Sequence, residues 1–299
     1  MESSDRDRTK LNPTSIILDD TPPNTDHWQG RTEELAQIQQ WIESDWVRLI
    51  GITGAGGYGK SALAARIYRE VQGFEHQFWV SFSQPYSFNQ WGRGLLTYLG
   101  VILDETGDEN LAYALIRQLA KERCLLVLDN LETLLTDETQ WQPYQQFLQK
   151  WLSRDTQSIV LVTSREQPKL SLRKSKWYPL AGLTPEAGVA LLQSLEIQGS
   201  SDDLQHLVQL ADGHPLLLEL TVEWLRQERG EAAHVAYVLN QTDLNLFTDM
   251  VGEHRDDPEA SVGKVLAQMV ERLEPRLQTL WQNLSVYRQP FGEPQAQAM

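Results

Sequence analysis

The sequence predicts an α/β fold, in which a parallel sheet carries helices on both faces, followed by a unit built of helices. Short apolar runs at 47–53, 125–128 and 158–163 are typical of strands buried on both sides of a parallel sheet. Amphipathic stretches separate these runs, so strands and helices alternate along the chain. After Leu183 the pattern becomes helix after helix, which predicts the second unit.

Each element of the α/β part follows from its local pattern. Leu35, Ile38 and Ile42 recur at helical spacing, so the first helix begins soon after Gly30. Thr184 is a favourable N-cap, and Pro185 fits the first position of the helix that opens the second unit. The further elements are helices near 60–71, 87–99, 109–122 and 139–153, and strands at 78–82 and 177–180.

Composition excludes several classes of partner. The 299 residues include 26 Lys and Arg against 41 Asp and Glu, a net charge of −15, so we expect no nucleic-acid partner. No run of eighteen apolar residues is present, so we expect no membrane partner. Cys124 is the single cysteine, and the first ten residues are too polar for a signal peptide, so we expect a cytoplasmic protein.

The most specific motif is the glycine-rich segment at 54–61, which reads GAGGYGKS and fits the phosphate-binding loop pattern G-x-x-x-x-G-K-S. Its glycines let backbone N–H groups turn towards phosphates, and the helix that follows adds its positive end. Lys60 supplies a charge for the β- and γ-phosphates, and the Ser61 hydroxyl is a ligand for Mg²⁺. The motif therefore predicts a nucleoside triphosphate site that requires Mg²⁺.

Polar residues end the later strands. Asp129 follows the run at 125–128 and is the expected carboxylate on the Mg²⁺ side. Asn130 stands where hydrolytic relatives carry a second carboxylate, and an amide is no base, so we expect slow hydrolysis. The sequence alone assigns no role to Glu132. Arg165 follows the run at 158–163 and is placed to reach a γ-phosphate.

Taken together, these motifs resemble the NB-ARC ATPases of the STAND class, and the bacterial, cyanobacterial type most closely. The segment from Gly30 to Leu35 resembles the family's entry motif at the base, and the segment 78–81 resembles its motif after the second strand. Residues 213–216, Gly-His-Pro-Leu, resemble the G-L-P-L motif, with His214 in place of a leucine. The resemblance implies that Pro215 packs on adenine and that ATP or ADP is bound.

The resemblance also implies a division of the chain and a set of site residues. It gives a flexible leader at 1–26, a P-loop nucleotide-binding domain at 27–182, a helical ARC-type domain at 183–258 and an incomplete winged-helix start at 259–299. The expected catalytic residues are Lys60, Asp129 and Arg165, and the expected metal ligands are Ser61 and Asp129. The expected nucleotide-binding residues are Arg31, Gly54, Gly56, Gly57, Tyr58, Gly59, Lys60, Ser61, Ala62, Arg165 and Pro215.

Three functions are compatible with these residues. The first is a signalling switch that binds ATP and ADP, hydrolyses ATP slowly and self-associates on activation, with effector and sensor regions absent from these residues. The second is an AAA+-type ATPase that performs work, but Asn130 and the acidic charge disfavour a fast motor or a DNA loader. The third is a scaffold with a vestigial loop, which the intact Lys60, Ser61 and Asp129 disfavour.

Overall fold

The computed structural model describes residues 21–82, 86–101, 108–170, 173–230 and 233–239. The expected winged-helix start at 259–299, the end of the expected helical domain and residues 1–20 of the expected leader lie outside the described residues. Within the described part of the chain, no helix has the length and the apolar character needed to cross a lipid bilayer.

The predicted α/β fold is confirmed. Five parallel strands form one sheet in the order β2–β3–β4–β1–β5. The strands are β1 (Leu49–Thr53), β2 (His76–Ser81), β3 (Cys124–Asp129), β4 (Ile159–Ser164) and β5 (Ser175–Pro179). The helix α1 (Thr32–Ile42) precedes β1, and the helices between the strands are α2 (Lys60–Glu70), α3 (Phe88–Tyr98), α4 (Asp108–Leu119), α5 (Glu132–Leu135) and α6 (Glu138–Leu152).

Helices cover both faces of the sheet because the central strands are apolar on both sides. In β3, Leu126 and Leu128 join a core cluster with α3, α4 and α6. The alternate residues Leu125 and Val127 join a second cluster with α1 and α2. This is the burial that the continuous apolar run predicts, since successive side chains of a strand point to opposite faces.

Most of the described chain after β5 is helical and has a core cluster of its own. The helices are α7 (Pro185–Ser194), α8 (Ser201–Leu210), α9 (Pro215–Arg229) and α10 (Val235–Leu239). Thr184 caps α7 as its sequence predicts, because its hydroxyl accepts a hydrogen bond from the Ala187 N–H at 3.2 Å. The helix α9 begins at Pro215, which puts the segment 213–216 at its N-terminal end.

The strand order determines which strand ends lie together. The carboxyl end of β4 lies between those of β1 and β3, because β4 pairs with both strands. The loop after β1, Asp129 at the end of β3 and Arg165 after β4 are therefore neighbours at one edge of the sheet. In an open α/β sheet, ligands bind in the crevice outside this edge.

Candidate nucleotide site

The loop at 54–61 joins β1 to α2, and α2 begins at Lys60. Gly59 occupies the N-cap position with φ +86° and has no side chain with which to cap the helix. Gly59 therefore provides no side-chain cap, and the first N–H groups of α2 stay available at the inside of the loop. A phosphate can accept hydrogen bonds from such groups. The local structure is the strand, loop and helix that the motif requires.

Lys60 lies across this loop and is largely buried. Its Nζ donates to the carbonyl oxygen of Gly54 at 2.8 Å and to that of Ala55 at 2.9 Å. Burial lowers the pKa of Lys60, whereas Glu132 is the neighbour that raises it most. The phosphate-binding role requires a cation fixed beside the loop backbone, and these two hydrogen bonds hold the Lys60 ammonium there.

Asp129 is the centre of a buried cluster of oxygen atoms. Its Oδ1 accepts hydrogen bonds from the Ser61 hydroxyl at 2.7 Å and from the Thr163 hydroxyl at 2.5 Å. Burial raises the pKa of Asp129, and the two hydroxyl donors oppose that shift. Hydroxyl and carboxylate oxygens are hard donors of the kind that Mg²⁺ prefers, so Ser61 and Asp129 fit the ion. Thr163 was not among the expected site residues, although it orients the carboxylate.

Arg165 and Glu132 form an ion pair at the edge of the same site. Arg165 Nε lies 3.3 Å from Glu132 Oε1, and the Arg165 side chain is half exposed whereas that of Glu132 is 19% exposed. Glu132 begins the four-residue helix α5, which the sequence patterns did not predict. The structure therefore brings an unassigned carboxylate towards Lys60.

Arg31 holds the site together by contacts with the backbone. Its Nη2 donates to the carbonyl oxygens of Ala181 at 2.7 Å and Tyr58 at 3.2 Å, and its Nη1 donates to Gly182 O at 3.3 Å. It also pairs with Glu34 at 2.8 Å. The guanidinium thus joins the phosphate loop to the segment after β5, while Arg31 also lines the cavity described below.

The N-terminal end of α9 rests on the phosphate loop. His214 caps α9 through Nδ1, which accepts from the Leu217 N–H at 3.2 Å, and its Nε2 lies 2.9 Å from Gly56 O. Since Nδ1 is the acceptor, the ring proton is on Nε2, which donates to the carbonyl. The Leu216 N–H donates to Gly57 O at 3.3 Å. Burial lowers the pKa of His214, which favours this neutral form.

These elements enclose an open cavity of about 560 Å³. Most of the expected site residues line it, namely Arg31, Gly56, Gly57, Tyr58, Gly59, Lys60, Ser61, Ala62, Arg165 and Pro215. Gly54 and Asp129 are not in its wall: Gly54 lies against Leu180, and Asp129 is reached through Ser61. Lining residues outside the expected set include Asn130, Glu132, Leu183, Leu191, Leu216 and Glu219.

The N-terminal side of the cavity is formed by residues 24–29. Arg69 holds this segment, since its guanidinium donates to the carbonyl oxygens of Pro22 and Pro23 and to the Thr25 hydroxyl, at 2.8–3.2 Å. The sequence places residues up to 26 in a flexible leader, whereas the structure places 24–26 in the cavity wall. The two prolines and the asparagine at 22–24 do not predict this contact from the sequence alone.

A strand–loop–helix phosphate loop, a carboxylate two strands away and a following helical unit define a P-loop nucleoside triphosphatase. The NB-ARC domain family matches residues 31–201, more than half of the chain. The chain belongs to the NB-ARC family, a group of STAND-class P-loop ATPases, and the family resemblance of the motifs is thereby confirmed.

Known proteins with similar sequences are much longer than this chain. It is 26% identical over 306 residues to an uncharacterized WD repeat-containing protein of Nostoc sp., covering 92% of this chain and 23% of that protein. It is 27% identical over 206 residues to a disease resistance-like protein of Arabidopsis thaliana, covering 64% of this chain and 16% of that protein. The chain therefore spans less than a quarter of the length of these relatives.

A solved structure has the same fold. It is the signal transduction ATPase with numerous domains (STAND) protein of Pyrococcus horikoshii that carries a tetratricopeptide repeat sensor. The TM-score is 0.62 at 19% sequence identity, and the match covers 92% of this chain and 37% of that one.

Proposed function

We propose that this chain is the nucleotide-operated part of a signalling switch. It binds ATP or ADP with Mg²⁺ in the cavity, hydrolyses ATP slowly, and changes its conformation or its self-association with the nucleotide bound. Membership of the NB-ARC family supports nucleotide binding and hydrolysis in general. The signal transduction role of the similar archaeal protein supports the switch.

The contact between α9 and the phosphate loop carries this proposal. His214 and Leu216 form hydrogen bonds with the carbonyl oxygens of Gly56 and Gly57, two residues of the loop that would surround the phosphates. A change in the loop backbone on nucleotide exchange would therefore alter the hydrogen bonds at the first turn of α9. A ligand shifts such an equilibrium only by its different affinity for the two states. We propose that these hydrogen bonds differ between the ADP and ATP states.

The residues divide into three groups along the cavity. Lys60 and the loop N–H groups would hold the β- and γ-phosphates, with Arg165 on the γ-phosphate side. Ser61 and Asp129 would hold Mg²⁺, which neutralises charge that develops on the phosphates. Arg31 and Pro215 would lie on the side of the base.

We propose that hydrolysis is slow because the position after Asp129 is an amide. The Asn130 Nδ2 lies 3.5 Å from Asp129 Oδ2, so the amide group faces that carboxylate. An amide is not basic at neutral pH and therefore takes no proton from water. A base at this position contributes about 10²–10⁴ in rate, and a carboxylate farther along the chain would replace it only in part, so we expect turnover below ~1 s⁻¹. A long-lived ATP state suits a switch.

The identity of the bound nucleotide tests the binding proposal. Denaturing the purified chain and separating the released nucleotides should yield ADP, whereas absence of any nucleotide, with no binding on titration, contradicts the proposal and favours a scaffold. Hydrogen exchange then tests the switch. The amides of Leu216 and Leu217 should exchange at different rates with ADP and with a non-hydrolysable ATP analogue, and equal rates contradict the switch.

Steady-state turnover separates the switch from the alternative of an AAA+-type ATPase that performs work. A rate near ~10 s⁻¹, which is ordinary for an enzyme, contradicts the slow switch and favours that alternative.

We also propose a cytoplasmic location. Cys124 lies buried in β3, and burial raises its pKa to about 11, so this thiol is neither exposed nor reactive.

A further inference from the structure

We propose that Glu132 positions and deprotonates the water that attacks ATP, and that Arg165 pairs with Glu132 until a γ-phosphate competes for its guanidinium. This inference rests on the proposed ATPase function and assigns it a catalytic carboxylate.

The backbone holds Glu132 firmly at the site. The Leu131 N–H donates to the carbonyl oxygen of Thr163 at 3.0 Å, and the Leu131 side chain is fully buried. The turn that leads from Asp129 to α5 is thus attached to β4. Glu132 follows this anchored residue and lines the same cavity as Lys60 and Ser61.

The two carboxylate oxygens of Glu132 have different surroundings. Oε1 is paired with Arg165, whereas Oε2 is buried and has no hydrogen-bond partner among the described residues. Buried polar atoms in native structures are nearly always paired, so an exception calls for a group that is supplied with the ligand. Once a γ-phosphate draws Arg165 away, a water molecule beside that phosphate is a donor of the right chemistry for Oε2.

The other acidic groups of the cavity are less suited to this task. Asp129 is occupied by two hydroxyl donors. The Asp26 carboxylate accepts a hydrogen bond from the Asn24 amide, and the Asp26 backbone N–H donates to Asn24 Oδ1. Glu219 lies on α9, one turn after Pro215 and on the side proposed for the base. Glu132 is the carboxylate with the strongest effect on Lys60, the residue that would touch the transferred phosphate.

In the proposed step, water replaces ADP on the γ-phosphorus. The water oxygen forms a bond to the γ-phosphorus, and the bond from that phosphorus to the bridging oxygen breaks. The electron pair of the broken bond leaves with ADP. The water proton passes to the Glu132 carboxylate and from there to solvent. Arg165 neutralises charge on the γ-phosphate, which releases Oε1 as well as Oε2 for the water.

Single-turnover phosphate release, with the full chain in excess over ATP, tests the catalytic role. We expect Glu132→Gln to slow release by about 10²–10⁴-fold and Glu132→Asp to retain part of the rate. The control is Glu138→Gln, which removes an exposed carboxylate at the start of α6 and should leave the rate unchanged. A wild-type rate in Glu132→Gln overturns the inference and leaves the ATPase proposal intact, whereas no binding of ATP by the wild-type chain overturns both.

Equilibrium binding tests the pairing with Arg165 without a catalytic readout. Glu132→Gln removes the ion pair between residue 132 and Arg165, so affinity for a non-hydrolysable ATP analogue should rise by up to about fivefold, while affinity for ADP stays constant. The additional change Arg165→Ala should cancel the rise. Calorimetry that shows equal affinities for the analogue in wild type and Glu132→Gln overturns the pairing. An unaltered ADP affinity also shows that the variant is folded.

Discussion

The phosphate loop and α9 meet at Gly57, and we expect Gly57→Ala to separate them. Gly57 has φ +78°, and a Cβ added there would lie 2.4 Å from His214 Cε1 and 3.0 Å from Leu216 Cβ. The shorter distance is below any real contact of a Cβ atom, so the imidazole ring would have to move. It would then lose its position between the Leu217 N–H and Gly56 O.

Gly59→Ala is the matched control for the magnitude. Gly59 also has a left-handed backbone, with φ +86°, but no atom of the described residues lies within 4 Å of an added Cβ. Each substitution incurs the strain of a left-handed alanine, about 1–2 kcal/mol. Gly57→Ala alone adds overpacking, about 1–3 kcal/mol. We expect Gly57→Ala to lower the free energy of unfolding by ~1–3 kcal/mol more than Gly59→Ala does.

Urea unfolding of both variants without nucleotide measures this difference. The same pair should be made in a His214→Ala background, where the closer of the two contacts is gone. The excess cost of Gly57→Ala should shrink there, because residues in contact are not additive. Equal costs of Gly57→Ala and Gly59→Ala in the wild-type background would refute the contact between α9 and the loop.

Three further perturbations test other parts of the site. Lys60→Ala should weaken ADP binding by about 10- to 150-fold in calorimetry, since one charge-assisted contact contributes roughly 1.5–3 kcal/mol; exposed Lys121→Ala is the control, and equal affinities would exclude the role. Thr163→Val should lower the free energy of unfolding by about 1–3 kcal/mol, because buried Asp129 and the Asn130 N–H each lose a partner; an unchanged urea midpoint would contradict this. Burial lowers the pKa of His214 below 6.5, so as the pH falls this residue is protonated in the unfolded chain before it is protonated in the folded chain. Neutral His214 makes its full contribution to the free energy of unfolding above pH 6.5. As the pH falls through the folded pKa, this contribution decreases by at most about 1.4 kcal/mol per pH unit. His214→Asn should remove this slope, and an identical slope in the variant would assign it to other groups.

The strands were predictable because they are buried on both faces. β1, β3 and β4 lie within two residues of the apolar runs that predict them, since such strands contain few polar residues to confuse the pattern. The strand order was not predictable in this way, because pairing is decided between distant segments. The position of β4 between β1 and β3 is what brings Thr163 to Asp129.

The sequence predicts the site residues whose chemistry a motif specifies. It does not predict those that only the packing of the fold brings to the site. Lys60 and Ser61 belong to a pattern that specifies their roles, and the structure holds both at the cavity. Glu132 belongs to a helix of four residues, which is too short to show a period, and its approach to Lys60 depends on the anchored turn at Leu131. Such a carboxylate is visible only once the fold has brought β4 beside β3.

His214 shows how a departure from a motif can add a function to it. A leucine at this position could fill space against the loop, but it has no atom that accepts or donates a hydrogen bond. The imidazole ring does both, with Nδ1 on α9 and Nε2 on Gly56 O. A movement of the loop carbonyl therefore disturbs the cap of α9, and a loss of the cap releases the carbonyl. Coupling of this kind acts equally in both directions, so under the proposed switch we expect whatever displaces α9 to alter nucleotide affinity as well.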